Sequence, residues 1–301
     1  MSQKITCLGL PAEWINAWLA AVGATVLDHR IRLQWSDEGT AVAVLSADEI
    51  DPVDALVESW PRKEMLDNLP IAKNWKKGTQ QMKRNVSVEV FRQRVQMART
   101  HPQSWTLSST MTDLCVDKNG DVEHAPFDPP VPKGITLHGR LTSLQEELRI
   151  SETRIRESLL GYATRVKKNG LGFDQTRLGS LSDDTDKWTD PVVETLAFFG
   201  LSMFPVQGNG VDQRLDRRTS NTGKKQRGWR MIAPDKKIRQ FHWPIWNHPL
   251  NSDGIDALMD IWNPEDDLSW DLLGIHEGWR SVQFERRGDN DTTRALGSEK
   301  L

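Results

Sequence analysis

The stretch KITCLGLPAEWINAWLAAVGATVLDHRIRLQWSDEGTAVAVLSADEIDPVDALVESW, residues 4–60, decides the fold of the N-terminal part. Lys4 to Leu8 predicts a short strand. Pro11 suits the first turn of a helix, where its missing N–H costs nothing. Trp14, Ile15, Trp18, Leu19 and Val22 then follow helical spacing, with Gly23 as the expected stop. Ile31, Leu33 and Trp35 alternate with Arg30, Arg32 and Gln34, the pattern of a strand with one buried face. Ser36 to Gly39 is a turn, and Thr40 to Leu45 the return strand. Asp51 caps a helix whose first residue is Pro52 and whose apolar stripe is Val53, Leu56, Val57 and Trp60. The order is β-α-β-β-α, most of a ferredoxin-like βαββαβ unit. Its last strand is not evident, because residues 61–85 are polar and basic.

Outward from this unit, a helix is expected from Ser87, with Val88, Phe91, Val95 and Ala98 inward. APFDPPVPKG (125–134) holds four prolines in seven residues, which no helix or central strand admits. Residues 126–138 therefore read as a rigid connector between an α+β domain (1–125) and a mainly helical domain (139–290). Helices are expected at Leu141/Leu144/Leu148, after a Ser151 cap, after Asp190-Pro191, and at Ile255/Leu258/Met259/Trp262. A mobile basic loop is expected at 207–228 and a disordered tail at 291–301.

The chain has 301 residues, a formal charge of −3, 37% hydrophobic residues and 27% charged ones. Collagen-like, low-complexity and wholly disordered chains are thereby excluded. No apolar run reaches the roughly 18 residues of a membrane helix, and no signal peptide is legible. Cys7 and Cys115 are the only cysteines, so a reducing cytoplasm is the expected compartment. The aromatic content is unusual, with 13 Trp against 8 Phe and one Tyr. Trp14, Trp18, Trp35, Trp60 and Trp262 fall at inward positions by periodicity. Trp75, Trp229, Trp243, Trp246, Trp270 and Trp279 lie in less periodic text and are candidate exposed anchors.

The small net charge hides segregation. Residues 1–60 carry nine acids and three bases; residues 73–99, eight bases and one acid; residues 212–239, ten bases and three acids; residues 252–277, eight acids and no Lys or Arg. Each basic stretch holds Trp and Gly, the combination that neutralises phosphates and stacks on bases. The candidate nucleic-acid contacts are Lys73, Trp75, Lys76, Lys77, Lys83, Arg84, Lys224, Lys225, Arg227, Trp229 and Arg230.

Other chemistry is thinly represented. Asp117-Lys118-Asn119-Gly120-Asp121 begins like a calcium loop, but Val122 stands where the sharp turn needs Gly, so a β-turn is the reading. His242 and His248 in FHWPIWNHP could serve a metal-dependent nuclease with nearby carboxylates, although no HExxH or CxxC accompanies them. GxSxG, GxxxxGK and GxGxxG are absent from the sequence. No catalytic residue and no cofactor is assigned.

Five phrases resemble the large-subunit group of type I-G (formerly I-U) CRISPR surveillance complexes: LGLPAEWINAWLAAVGATVL (8–27), FDPPVPKGITLHGRL (127–141), NGLGFDQTRLGSL (169–181), DPVVETLAFFGLSMFP (190–205) and RGWRMIAP…FHWPIWNHPL (227–250). The resemblance implies a non-catalytic Cascade subunit contacting guide RNA, target DNA and other effector subunits, with no small-molecule substrate. In such assemblies base pairing reads the sequence while protein reads a flanking motif and the backbone. The basic stretches would face DNA and the acidic 252–277 stretch a protein. A metal-dependent defence nuclease and a protein-interaction module without nucleic-acid binding are the two alternatives.

Overall fold

A computed structural model describes residues 2–61, 148–167, 188–204, 228–233, 238–283 and 296–301, short strand pieces at 73–74, 79–80, 86–87, 121–122, 206–208 and 224–226, and the isolated residues 89, 92, 96 and 144. The chain divides into two compact units: residues 1–60, 143–200 and 228–301 form one, residues 61–142 and 201–227 the other. The connector expected at 126–138 lies outside the described residues.

The first unit opens as the alternation predicts, with β1 (Ser2–Pro11), α1 (Ile15–Leu27), β2 (Ile31–Trp35), β3 (Val42–Asp48) and α2 (Pro52–Ser59). The sheet order is β1-β3-β2 with both pairings antiparallel, so β1 and β2 run parallel on either side of β3. Asp51 caps α2 through its side chain, accepting from the Val53 N–H at 2.8 Å.

Helix α1 departs from expectation at its end. Gly23 does not stop it; the helix runs on to Leu27. Gly23 is instead a contact point with α4 (Pro191–Gly200), where a Cβ would overlap the Leu196 carbonyl oxygen. Gly200 repeats this from the other side against the Leu19 carbonyl. Two glycines thus let two almost wholly buried helices touch backbone to backbone, so α1 has no polar face.

Between these helices in sequence comes α3 (Glu152–Leu160), capped by Ser151, whose Oγ accepts from the Arg154 N–H at 3.1 Å. Gly161, at φ 89°, ends it. Tyr162 lies past this stop and is exposed. Asp190 caps α4 as expected, accepting from Val192 N–H at 2.9 Å. The next helices are α5 (Ser252–Ile261), capped by Asn251, and α6 (Asp267–Leu272).

Among the described residues the C-terminal part is not mainly helical. It also contains a four-stranded antiparallel sheet, β4 (Trp229–Ala233), β5 (Ile238–Trp246), β6 (Ile275–Gln283) and β7 (Leu296–Lys300), in that spatial order. Its strands escaped the sequence reading because β5 buries both faces: every residue from Phe241 to Trp246 is buried, so no period-2 signal survives. The expected disordered tail is corrected too, since Leu296–Lys300 is the edge strand β7. Cross-strand ion pairs hold it, Arg280–Glu299 at 2.8 Å and Lys300–Glu277 at 2.7 Å.

Tryptophan indoles tie the two sheets and α1 together. Trp18 Nε1 donates to the Pro244 carbonyl (3.1 Å), Trp243 Nε1 to Ala12 (2.9 Å) and Trp246 Nε1 to Leu33 (3.0 Å). Leu33 and Leu250 also exchange backbone hydrogen bonds at the free edge of β2. Trp243 and Trp246, expected as exposed anchors, are fully buried. An indole fills a large core volume and still satisfies a buried carbonyl, which Phe cannot do.

In the second unit, residues 206–208 pair with 224–226 at the ends of the stretch expected to be a basic loop. Glu89, Arg92 and Gln96 are helical and exposed, whereas Val88, Phe91 and Val95 lie outside the described residues. Ser87 itself is in a two-residue strand paired with 121–122.

Candidate functional site

The sequence candidates fall in three places. Trp75, Lys76, Lys77, Lys83, Arg84 and Arg227 lie outside the described residues. Lys73 is in a two-residue strand with Asn74, paired to 79–80. Lys224 and Lys225 are consecutive in one strand of the second unit, opposite Gly208 and Gln207. Arg230 is on β4 of the first unit, and it is exposed.

Register gives Arg230 its neighbours. It stands opposite Gln240 on β5; His242 follows two residues along the same face and stands opposite Arg280 on β6. Residues two apart share a face, and directly opposed pairs have Cβ atoms about 5 Å apart. One face of the sheet therefore presents Arg230, Gln240, His242 and Arg280. Gly228 makes this geometry possible. It turns into β4 at φ 75°, its carbonyl accepts from the His242 N–H at 2.8 Å, and a Cβ there would strike the Phe241 ring.

This face carries two arginines against one glutamate, Glu299. Burial, with the positive charges of Arg230 and Arg280, pushes the His242 pKa down to about 4. The ring is neutral at neutral pH. Its Nδ1 is buried without a hydrogen-bond partner, and Nε2 has only Gln240 Oε1 at 3.5 Å. Glu299 neutralises Arg280 at the sheet edge (2.8 Å), whereas Arg230 has no ion pair among the described residues. A cation would be repelled here and a phosphate attracted.

The two histidines of the metal reading are separated. His242 lies under Arg280 near the middle of β5. His248 follows the strand's far end and packs against the Gly274 turn, where a Cβ would meet its Nδ1 at 2.8 Å. Among the described residues no group of three or more His, Cys, Asp or Glu could hold a metal ion.

A second concave feature escaped sequence reasoning. Trp14, Asn16, Ser158, Arg165, Asp190 and Glu194 line a cleft of about 30 Å³ where α1, α3 and α4 begin or end. The Asp190 carboxyl, shifted up by burial against the pull of Arg154, accepts from Ser158 Oγ at 3.0 Å as well as capping α4. The volume suits one water rather than a substrate. No single-residue signal marks it, because these members come from three separate segments.

Cys7 is inert: burial pushes its thiol up to about 12. Among the described residues no helix is long and apolar enough to cross a membrane. No protein-family model matches the chain, and no curated protein matches it.

Proposed function

We propose that this chain is a non-catalytic nucleic-acid-binding subunit of an RNA-guided CRISPR type I effector complex, working in the cytoplasm beside other effector subunits. The observation that carries the reading is the face of Arg230, His242 and Arg280, which sets two guanidiniums on one sheet, the first of them within the basic 212–239 stretch. The buried neutral imidazole adds no charge, and the Arg230 guanidinium, which has no ion pair among the described residues, can take phosphate oxygens bidentately, whereas Arg280 would share its charge with Glu299. Lys224 and Lys225, with the basic 73–99 stretch, are candidate phosphate contacts of the second unit. The β1-β3-β2 order and the positions of α1 and α2 support reading residues 2–59 as a ferredoxin-like unit without its final strand. The five sequence phrases supply the assembly, and the charge geometry supplies the ligand.

The double variant Arg230→Glu/Arg280→Glu tests this. Anisotropy with labelled single- and double-stranded DNA, titrated across salt concentrations, should show weakened binding and a salt slope smaller by about 2. Unchanged affinity at matched salt would remove this face from the interface. Purification from cells carrying the neighbouring genes should bring down a guide RNA with the wild-type chain.

A further inference from the structure

We infer that helices α5 and α6 form a docking face for a basic, amphipathic segment of a partner protein. α6 lies over Gly278, two residues along β6 from Arg280, but the side of the helix opposite Trp270 faces away from the sheet, and the inference holds whether or not the chain binds nucleic acid.

Trp270 sets the orientation of α6. Its ring lies on Gly278 of β6, where a Cβ would come within 2.6 Å of the indole, and its centroid is 6.1 Å from that of Trp262. Its Nε1 donates to the Asn263 carbonyl at 3.2 Å. Leu268 and Leu272 are each two residues from Trp270, which places them about 200° around the helix. They share the opposite face and are 77% and 87% exposed. Ile261, at the end of α5, is 61% exposed, and Ala257 one turn earlier is exposed too. Two bare leucines one turn apart, on a helix pinned by its other side, make an apolar strip that nothing in the described chain covers.

The surroundings of this strip say what covers it. Asp253, Asp256, Asp260, Glu265, Asp266 and Asp271 are all exposed on these two helices and the turn that joins them, and no Lys or Arg occurs between residues 252 and 277. The field repels phosphate and acidic proteins. It attracts a segment whose Lys and Arg flank apolar side chains at helical spacing. Such a segment inserts leucine-type side chains between Ile261, Leu268 and Leu272 while its cations meet the acidic rim, the helix-in-groove mode of peptide recognition.

The probe is a fluorescein-labelled amphipathic peptide of Lys and Leu, set against a control in which Ser replaces each Leu at unchanged charge. The wild-type chain should bind the leucine peptide at least about tenfold more tightly than the serine peptide. Leu268→Ser/Leu272→Ser should erase that difference without moving the thermal midpoint, because both side chains are solvent-exposed. Asp266→Asn/Asp271→Asn should leave the preference for leucine and flatten the salt dependence; it keeps the test decisive should the leucine variant misfold. Equal binding of the two peptides, or an unchanged preference in the leucine variant, overturns the inference. Sedimentation showing a dimer that Leu268→Ser/Leu272→Ser dissociates overturns it as well, since the occupant would then be a second copy of this chain.

Discussion

The N-terminal and C-terminal sheets of the first unit are both antiparallel and both buried, yet only one is legible. β2 shows alternating burial, inward at Ile31, Leu33 and Trp35, with exposed or half-exposed residues between them. β5 buries everything from Phe241 to Trp246, including His242 and Pro244, with Trp18 of α1 against Phe241 on one face and Trp270 of α6 over the neighbouring Gly278 on the other. A sheet with one wet face writes its register into the sequence; one covered on both faces does not. Burial alone therefore does not make a strand readable, and a histidine in such a strand looks catalytic in sequence while serving as a neutral spacer in the fold.

The sharpest way to break this comparison is to remove the ring pair that joins the sheets. Trp35 and Trp246 meet edge to face at 6.3 Å and are each at most 1% exposed. Trp246→Ala and Trp35→Ala should each cost about 4 kcal/mol in urea unfolding, and the double variant should cost less than the sum. Full additivity would mean the two sheets are independent.

A smaller effect separates the sheets by pH. The folded-state pKa of His242 is about 4, against 6.5 for the free side chain. The unfolded chain therefore takes the proton first. Stability is complete above about pH 6.5 and declines as the pH falls toward 4, by about 2 kcal/mol after allowance for solvent at the ring's edge. His242→Gln should abolish this part of the pH dependence, and NMR titration of Arg230→Gln should show the His242 pKa rising.

The smallest effect is at the edge strand. Lys300 pairs with Glu277 and lies 6.0 Å from the Trp279 ring centroid, but it is exposed. Lys300→Ser should cost under about 1 kcal/mol in the same urea assay.

The candidate site was legible only as charge. Arg230 stood out within a basic run; Arg280 did not, because its partners are 38 to 50 residues away in sequence and only strand register brings them together. Residues after 225 looked like the place for exposed indoles, but Trp243 and Trp246 are buried there. Among the described residues after 225 the most exposed apolar side chains are instead Leu268 and Leu272, set outward by the Trp270 contact.

The sequence by itself determined the order of elements in residues 2–59 and the caps at Asp51, Ser151 and Asp190, because local hydrogen bonds and one-sided burial act over a few residues. It also determined the segregation of charge. Tertiary structure decided that Gly23 is a helix contact rather than a helix stop, that β4 to β7 form a sheet, and that His242 sits neutral between two arginines. Each of these depends on a partner far along the chain, whose approach no local period records.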